Sequence, residues 1–384
     1  MCKDTDFDTL VQIFDSDDVT DERIVDLIKT LAFSGKSVKF HQNIYDFAST
    51  GGPSSLSTIL VPLYLNAYGC NVVNLAVSGR PAGAIDVLSQ IPQYDVNEYG
   101  DIDKLVTPFY IHLAANSEFV PMDKALFEYR KKINKVDVPN LAIASLLAKK
   151  VAIGADCIGL DVRVSKHGNF GKTWNQCVSN SEKYNRIASL LGIRSTCFLS
   201  DANIPYQRYI GRGEALEAIY EILCGTKDQQ LQSHNEYCRS IAFYMAKNSG
   251  NTPANFNIDF EECFSKNLLY QGSNYKNFML AVEKVKSQPH STICSKSRGY
   301  VQFNLEKIRD LIVKKQKAST GSSLYPDMYG ITLLCNTGDY VEPGTPVLSV
   351  RSTDYDFIME DDMCFSIIES KPTIDKRNEV ITNG

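Results

Sequence analysis

The chain has 384 residues, 43% of them hydrophobic, and a formal charge of -5 at pH 7; that is enough apolar material for two or three buried cores and too little positive charge for a general attraction to nucleic acid or anionic lipid. The opening MCKDTDFDTL holds acids and no apolar run, and no stretch reaches the ~18 uninterrupted apolar residues of a membrane span, so a cytoplasmic protein with no nucleic-acid or membrane partner is expected. Eleven cysteines run from Cys2 to Cys364 without a CxxC pair or a Cys/His cluster, which predicts reduced, mostly buried thiols and no metal site.

From Thr20 to Phe33 apolar residues recur at helical spacing behind an acidic, cap-like start, and residues 1–40 read as a small helical element completed by 120–150. After His41 the texture becomes a strand to Asp46, a turn Ser49-Thr50-Gly51-Gly52, a helix closing at Gly69 and a further strand from Cys70. Helices are predicted over Pro121 to Arg130 and Val138 to Lys150, with a glycine turn at Gly154 leading into the strand CIGLDVRV. SEKYNRIASLLG and IRSTCFLSD repeat the helix-then-strand step. Such alternation implies an α/β class with a mostly parallel sheet. Residues 41–119 with 151–290 are assigned to this mixed-sheet domain, and 291–384, with short strands RGYVQFNLE, YGITLLCN and TPVLSVRS, to a C-terminal α+β end domain whose last stretch, DKRNEVITNG, is expected to be loose.

Hydroxyls and unhindered backbone N–H groups at a helix start make an anion cradle, and Ser49-Thr50-Gly51-Gly52 has that composition. Taken alone it is a weak signal, and ordinary turn chemistry is the better reading of it. Ser145 and Lys149 stand four apart on one predicted helix and share a face, whereas Lys150 reads as a solvent-facing lysine. His41, His112, His234 and His290 have no partner pattern and read as ordinary surface or core histidines.

These segments also follow one another in a known order. Asp46-Phe-Ala-Ser-Thr-Gly-Gly, Val77-Ser78-Gly79-Arg80, Asp86, Pro121-Met-Asp123-Lys124, Arg130, Val136-Asp137-Val-Pro139, Ala144-Ser145-Leu-Leu-Ala148-Lys149-Lys150, Asp161-Val-Arg-Val164, Gly192-Ile-Arg-Ser-Thr, Asp201, Gly213-Glu-Ala-Leu216-Glu217 and, near the end, Thr337-Gly338-Asp339-Tyr340-Val341 with Gly344-Thr-Pro346 resemble the thymidine/pyrimidine nucleoside phosphorylase family from about residue 20 to residue 352. The resemblance implies that Arg130, Ser145 and Lys149 hold the pyrimidine as it leaves with the glycosidic electrons, donors to such developing charge being worth ~3–4 kcal/mol each. It implies that Ser49, Thr50, Thr58 and Ser78 hold phosphate, Thr58 standing where the family has serine, and that Phe170 packs on the base from a loop longer than the family's usual one.

The phosphate side departs from the pattern. The family's Lys-His before Ser-Thr-Gly-Gly is Phe47-Ala48 here, and the loop after Arg80 is shorter, with Ala84 in the place of a phosphate-touching threonine. A lost charge-assisted bond costs ~1.5–3 kcal/mol; Arg80, Lys166 and His167 are the cations whose positions suit a replacement. The N-terminal region is also shorter than the helical hairpin that supplies much of the family's dimer contact, which tells against the usual homodimer. The expected activity is pentosyl transfer from a pyrimidine nucleoside to phosphate or a replacement nucleophile, with inorganic phosphate as co-substrate and no cofactor. A non-catalytic nucleoside-binding or regulatory protein on the same scaffold is the alternative.

Overall fold

The computed structural model describes residues 6–16, 18–78, 82–96, 105–115, 118–250, 259–317, 327–352, 364–374 and 377–383. Its first helices are α1 (Phe7–Phe14) and α2 (Asp21–Ala32), started by Asp6 and Thr20, whose side chains accept the exposed N–H groups of the first turn. Then come β1 (Ile44–Ser49), α3 (Ser57–Ala67), β2 (Asn71–Ala76), α4 (Ala84–Leu88), β3 (Tyr110–Ala114), α5 (Pro121–Lys132), α6 (Pro139–Ala152), β4 (Cys157–Val164), α7 (Trp174–Leu190) and β5 (Arg194–Asp201). Both α5 and α6 open on a proline, which suits the first helical position because its missing N–H has no partner there.

The strands order as β3-β2-β1-β4-β5, all parallel, which makes the chain α/β with a mostly parallel sheet. A sheet of this kind is covered on both faces. Along β1, Ile44 enters one apolar cluster with α2, α6 and α7, while Tyr45 and Phe47 enter a second with α3 and α9. Period-two alternation thus sorts each strand between two cores. Helix α3 lies wholly within the second core and is buried on nearly every side.

Beyond β5 follow β6 (Tyr209–Ile210), α8 (Arg212–Leu223), α9 (Gln229–Asn248), α10 (Phe260–Tyr270) and α11 (Tyr275–Lys286). The end region comprises β7 (His290–Cys294), β8 (Gly299–Phe303), α12 (Leu305–Lys317), β9 (Tyr329–Leu333), β10 (Tyr340–Val341), β11 (Pro346–Ser352) and β12 (Phe365–Ile368). Together with β6 these strands form two small sheets, ordered β6-β9-β11-β7 and β10-β8-β12, around a third core. The closing stretch is not loose: β13 (Asn378–Thr382) returns to the main sheet and pairs antiparallel with β5, from Asn378 opposite Ser200 to Thr382 opposite Thr196. Asn383 adds side-chain bonds to Asn185, Ser189 and Ile193. The described cysteines are free thiols, and no helix among the described residues is long and apolar enough to cross a membrane.

Buried charge joins the end region to α8. Arg351 on β11 donates through Nε and Nη2 to the two carboxylate oxygens of Glu214, at 2.7 and 2.9 Å, and through Nη2 to Asp327 at 2.7 Å. Gly330 and Gly211 clear the space: a Cβ on Gly330 would lie 1.6 Å from the Glu214 carboxylate. Arg351→Met leaves two carboxylates without this guanidinium and is expected to lower unfolding free energy by ~3–5 kcal/mol, whereas Lys131→Met, at the exposed pair with Glu128, changes it by less than ~1 kcal/mol. Urea denaturation of the two variants checks the contrast.

Candidate functional site

The helix–strand contact that organises the site is made by Lys150. Its ammonium lies 2.5 Å from Asp46 of β1, and both side chains are fully buried, so the reading of Lys150 as a solvent-facing lysine is corrected. Sequence pattern alone hid this because a buried lysine needs a carboxylate, and Asp46 is more than one hundred residues away in the chain. Asp46 also accepts from Asn74 Nδ2 at 3.0 Å. Burial raises its pKa from 3.8 to about 6 against the opposing pull of Lys150.

One residue back, Lys149 turns to the other side of α6. Its Nζ donates to Asp123 Oδ2 of α5 at 2.6 Å, to the Ser145 carbonyl at 2.6 Å and to Ser145 Oγ at 3.0 Å. Arg130 is 1% exposed and directs its guanidinium to the carbonyls of Lys135, Val136 and Leu141, the last being one helical turn before Ser145. Desolvation lowers its pKa to about 10, offset in part by Asp123 and Asp137. Lys149 therefore joins Ser145 to Asp123, a residue to which the sequence pattern assigns no role, and Arg130 reaches the same α5–α6 junction through the Leu141 carbonyl. Asp123 Oδ1 is buried and has no hydrogen-bond partner among the described residues.

The glycine turn follows Asp46 at the end of the same strand, Ser49 being three residues on, or roughly 10 Å at strand rise. Gly51 and Gly52 have φ of 109° and 133° and face solvent. Ser49 Oγ accepts from the Gly51 amide at 3.2 Å, and Thr50 is tied to β4 through Asp161 O and the Arg163 amide. The amides of Gly52, Ser54 and Ser55 have no hydrogen-bond acceptor among the described residues. They precede the N-terminus of α3, where the helix dipole also favours an anion. Thr58 is partly exposed and Ser78 exposed, neither with a side-chain hydrogen bond among the described residues, so both hydroxyls remain available near this edge.

Behind the turn stands a group to which the sequence pattern assigns no role. Arg163 of β4 is 4% exposed; Nε donates to Asp161 at 2.9 Å, Nη1 to the Gly52 carbonyl at 3.0 Å and Nη2 to Ser57 Oγ at 3.2 Å. Its guanidinium stands over the Tyr206 ring, and Tyr206 stacks on His234 at 5.5 Å. His234 Nε2 accepts the Leu56 amide at 2.9 Å, which makes Nε2 the unprotonated nitrogen. Alternation in DVRV places Asp161 and Arg163 on one strand face, a signal present in the sequence. The partners on that face were not.

Phe47 fills the core against Gly159 and Met245, and Ala84 begins the buried turn of α4. His167 pairs with Glu306 at 3.0 Å, Lys166 is exposed, and Arg80 falls outside the described residues. Phe170 is 2% exposed and sets its ring edge against Tyr184, inside the first core. His112 is a core residue bonded by the Tyr94 and Tyr110 hydroxyls. Among the described residues, Phe170 and His167 have no hydrogen bond or ring contact with the turn.

Over 221 residues, 56% of this chain, the protein is 28% identical to a pyrimidine-nucleoside phosphorylase of Staphylococcus haemolyticus. The likeness is partial. The match takes in 51% of that protein, so the chain spans about half the length of the curated relative it matches. No protein-family model matches. Among solved structures, the anthranilate phosphoribosyltransferase of Thermus thermophilus covers 72% of this chain and 93% of its own at 14% identity and a TM-score of 0.43. The same enzyme from Saccharomyces cerevisiae covers 73% and 86% at 11% and 0.43. At TM-scores below 0.5 neither likeness bears on the activity.

Two pH dependences follow from the buried groups. Because Asp46 titrates near 6 when folded and near 3.8 when not, the stability its neutral form contributes is present at pH 3.8 and lost as pH rises through 6. Lys150 holds that pKa down, so Lys150→Met should lose stability more steeply than the parent between pH 4.5 and pH 7.5, read as melting temperature. Burial lowers both His112 and His234 from 6.5 to about 3, so the stability of their neutral forms is present above pH 6.5 and lost as pH falls toward 3. His234→Gln, whose amide oxygen can take the Leu56 N–H, should flatten the acid-side stability slope by up to about 1.4 kcal/mol per pH unit in denaturation measured between pH 4 and 6.5.

Proposed function

We propose that the protein is a pentosyltransferase acting on a pyrimidine nucleoside with inorganic phosphate as nucleophile. The observation that carries the reading is the set of acceptorless amides at Gly52, Ser54 and Ser55 beside the α3 N-terminus, mounted on the strand that Lys150 ties to the helix bearing Ser145 and Lys149. The partial similarity to a pyrimidine-nucleoside phosphorylase supports it from an independent direction.

In the proposed reaction a phosphate oxygen forms a bond to the anomeric carbon as the bond to N1 of the base breaks. The glycosidic electrons leave with the base, and the proton of hydrogen phosphate ends on N1, giving free base and pentose 1-phosphate. The turn amides, with the Ser49, Thr58 and Ser78 hydroxyls, hold the nucleophile. Lys149 and Ser145 donate to the oxygens of the leaving pyrimidine, where negative charge develops in a site shielded from water. For that to happen Lys149 must exchange part of its bonding to Asp123 and Ser145 for the base.

One observation favours a second reading. Arg130 has its guanidinium committed to three backbone carbonyls, which suits a fixed scaffold more than a group that answers to charge on a ligand. A nucleoside-binding protein without turnover is the reading consistent with that. Incubation of purified protein with uridine, thymidine and cytidine, with and without phosphate, separates them. Base release that requires phosphate and falls at least a hundredfold in Lys149→Ala is the expected result; release without phosphate points to hydrolysis, and nucleoside binding with no release to the binder.

A further inference from the structure

Among the described residues, the arginine or lysine bonded to the proposed cradle is Arg163, which lies behind it. Phe47 is core, His167 is engaged with Glu306, and the outward face of the turn is Gly51 and Gly52. The structure nevertheless gives the turn a rigid backing. Resting on the reading of this turn as the phosphate cradle, we infer that Arg163 is its positioning residue and sets phosphate affinity by holding the backbone from behind.

Arg163 reaches the loop at three points. Its backbone amide donates to Thr50 Oγ1 at the start of the turn, Nη1 donates to the Gly52 carbonyl at the middle, and Nη2 donates to Ser57 Oγ at the start of α3. A carbonyl that would repel an oxyanion is thereby drawn into the protein, and the amides of Gly52, Ser54 and Ser55 are left with no acceptor among the described residues. The approach is close enough to exclude a side chain at Gly52, whose Cβ would sit 2.7 Å from Nη1. The stack of Tyr206 on His234 continues the backing to Leu56, so both ends of the Thr50 to Leu56 segment are pinned from the same side.

Asp161 binds the Nε edge and also accepts from Ser57 Oγ at 2.5 Å, which offsets the guanidinium's charge. The contribution of Arg163 is therefore orientation, delivered by a planar fork with donors in fixed directions. An ammonium keeps the charge but cannot reproduce that fork. This separates the inference from a simple replacement of the missing lysine: charge alone should not suffice.

The test is calorimetric titration of the full chain with inorganic phosphate and, separately, with uridine and thymidine, for the parent, Arg163→Lys and Arg163→Met. Phosphate affinity is expected to fall at least tenfold in both variants while affinity for the bound nucleoside stays within twofold. Gly52→Ala is the second probe, since its methyl group displaces the guanidinium with Arg163 still present, and it should give the same selective loss if the arginine variants do not fold. Unchanged phosphate affinity in a folded Arg163 variant overturns the inference and leaves the proposed function standing. So does a full rescue by lysine, or an equal loss for both ligands. A parent protein that binds nucleoside but no phosphate overturns the cradle reading itself, and the inference with it.

Discussion

A buried charge needs a partner, and that constraint shapes this molecule at each of its junctions. The adjacent parallel strands β1 and β4 are covered on both faces, yet each carries charge inward. On one face Asp46 meets Lys150 and so fixes the last turn of α6 against the sheet. On the other, Asp161 meets Arg163, and the pair holds Ser57 and Gly52, which fixes the start of α3 and the turn before it. A third set, Arg351 with Glu214 and Asp327, locks the end region onto α8. None of these pairs adds much net stabilisation, since desolvation offsets most of the Coulomb gain. Their consequence is geometric, because a misplaced partner would leave an uncompensated charge in the core.

The two halves of the candidate site owe their relation to the first of these pairs. Ser145 and Lys149 precede Lys150 on α6, and Ser49 to Gly52 follow Asp46 on β1, so the ion pair is a common mount for both. The halves differ in state. At the turn, backbone donors are left over, whereas at the α5–α6 junction they are taken up: Lys149 binds Asp123 and Ser145, and Arg130 binds backbone carbonyls. Phe47, one residue after Asp46, has a structural part as well: its ring fills the space opposite Gly159 and against Met245, a place in the core.

Much of the architecture was readable in advance. Helix α2 begins at its Thr20 cap, β4 covers CIGLDVRV, and α6 and β11 fall within a residue or two of their expected limits, because apolar periodicity and cap chemistry act over a few residues and need no tertiary partner. The misreadings share one cause. DKRNEVITNG looks loose since it has few apolar residues, but as an edge strand it needs only backbone pairing with β5. Lys150 looks solvated because nothing nearby in the chain is its counter-ion. His234 looks like any other histidine until Leu56 and Tyr206 arrive from distant segments.

What the amino-acid order determined by itself was therefore local and repetitive: the alternation of helix and strand, the α/β class, the glycine turn before α3, and the shared helical face of Ser145 and Lys149. What only the tertiary structure decided was which charge answers which. Arg163 becomes the backing of the turn, Lys150 the anchor of α6 and Asp123 the partner of Lys149 through contacts between residues far apart in the chain. The physical reason is range: periodicity is enforced by backbone geometry between neighbours, while the pairing of a buried charge is settled by whichever opposite group the packed fold delivers to it.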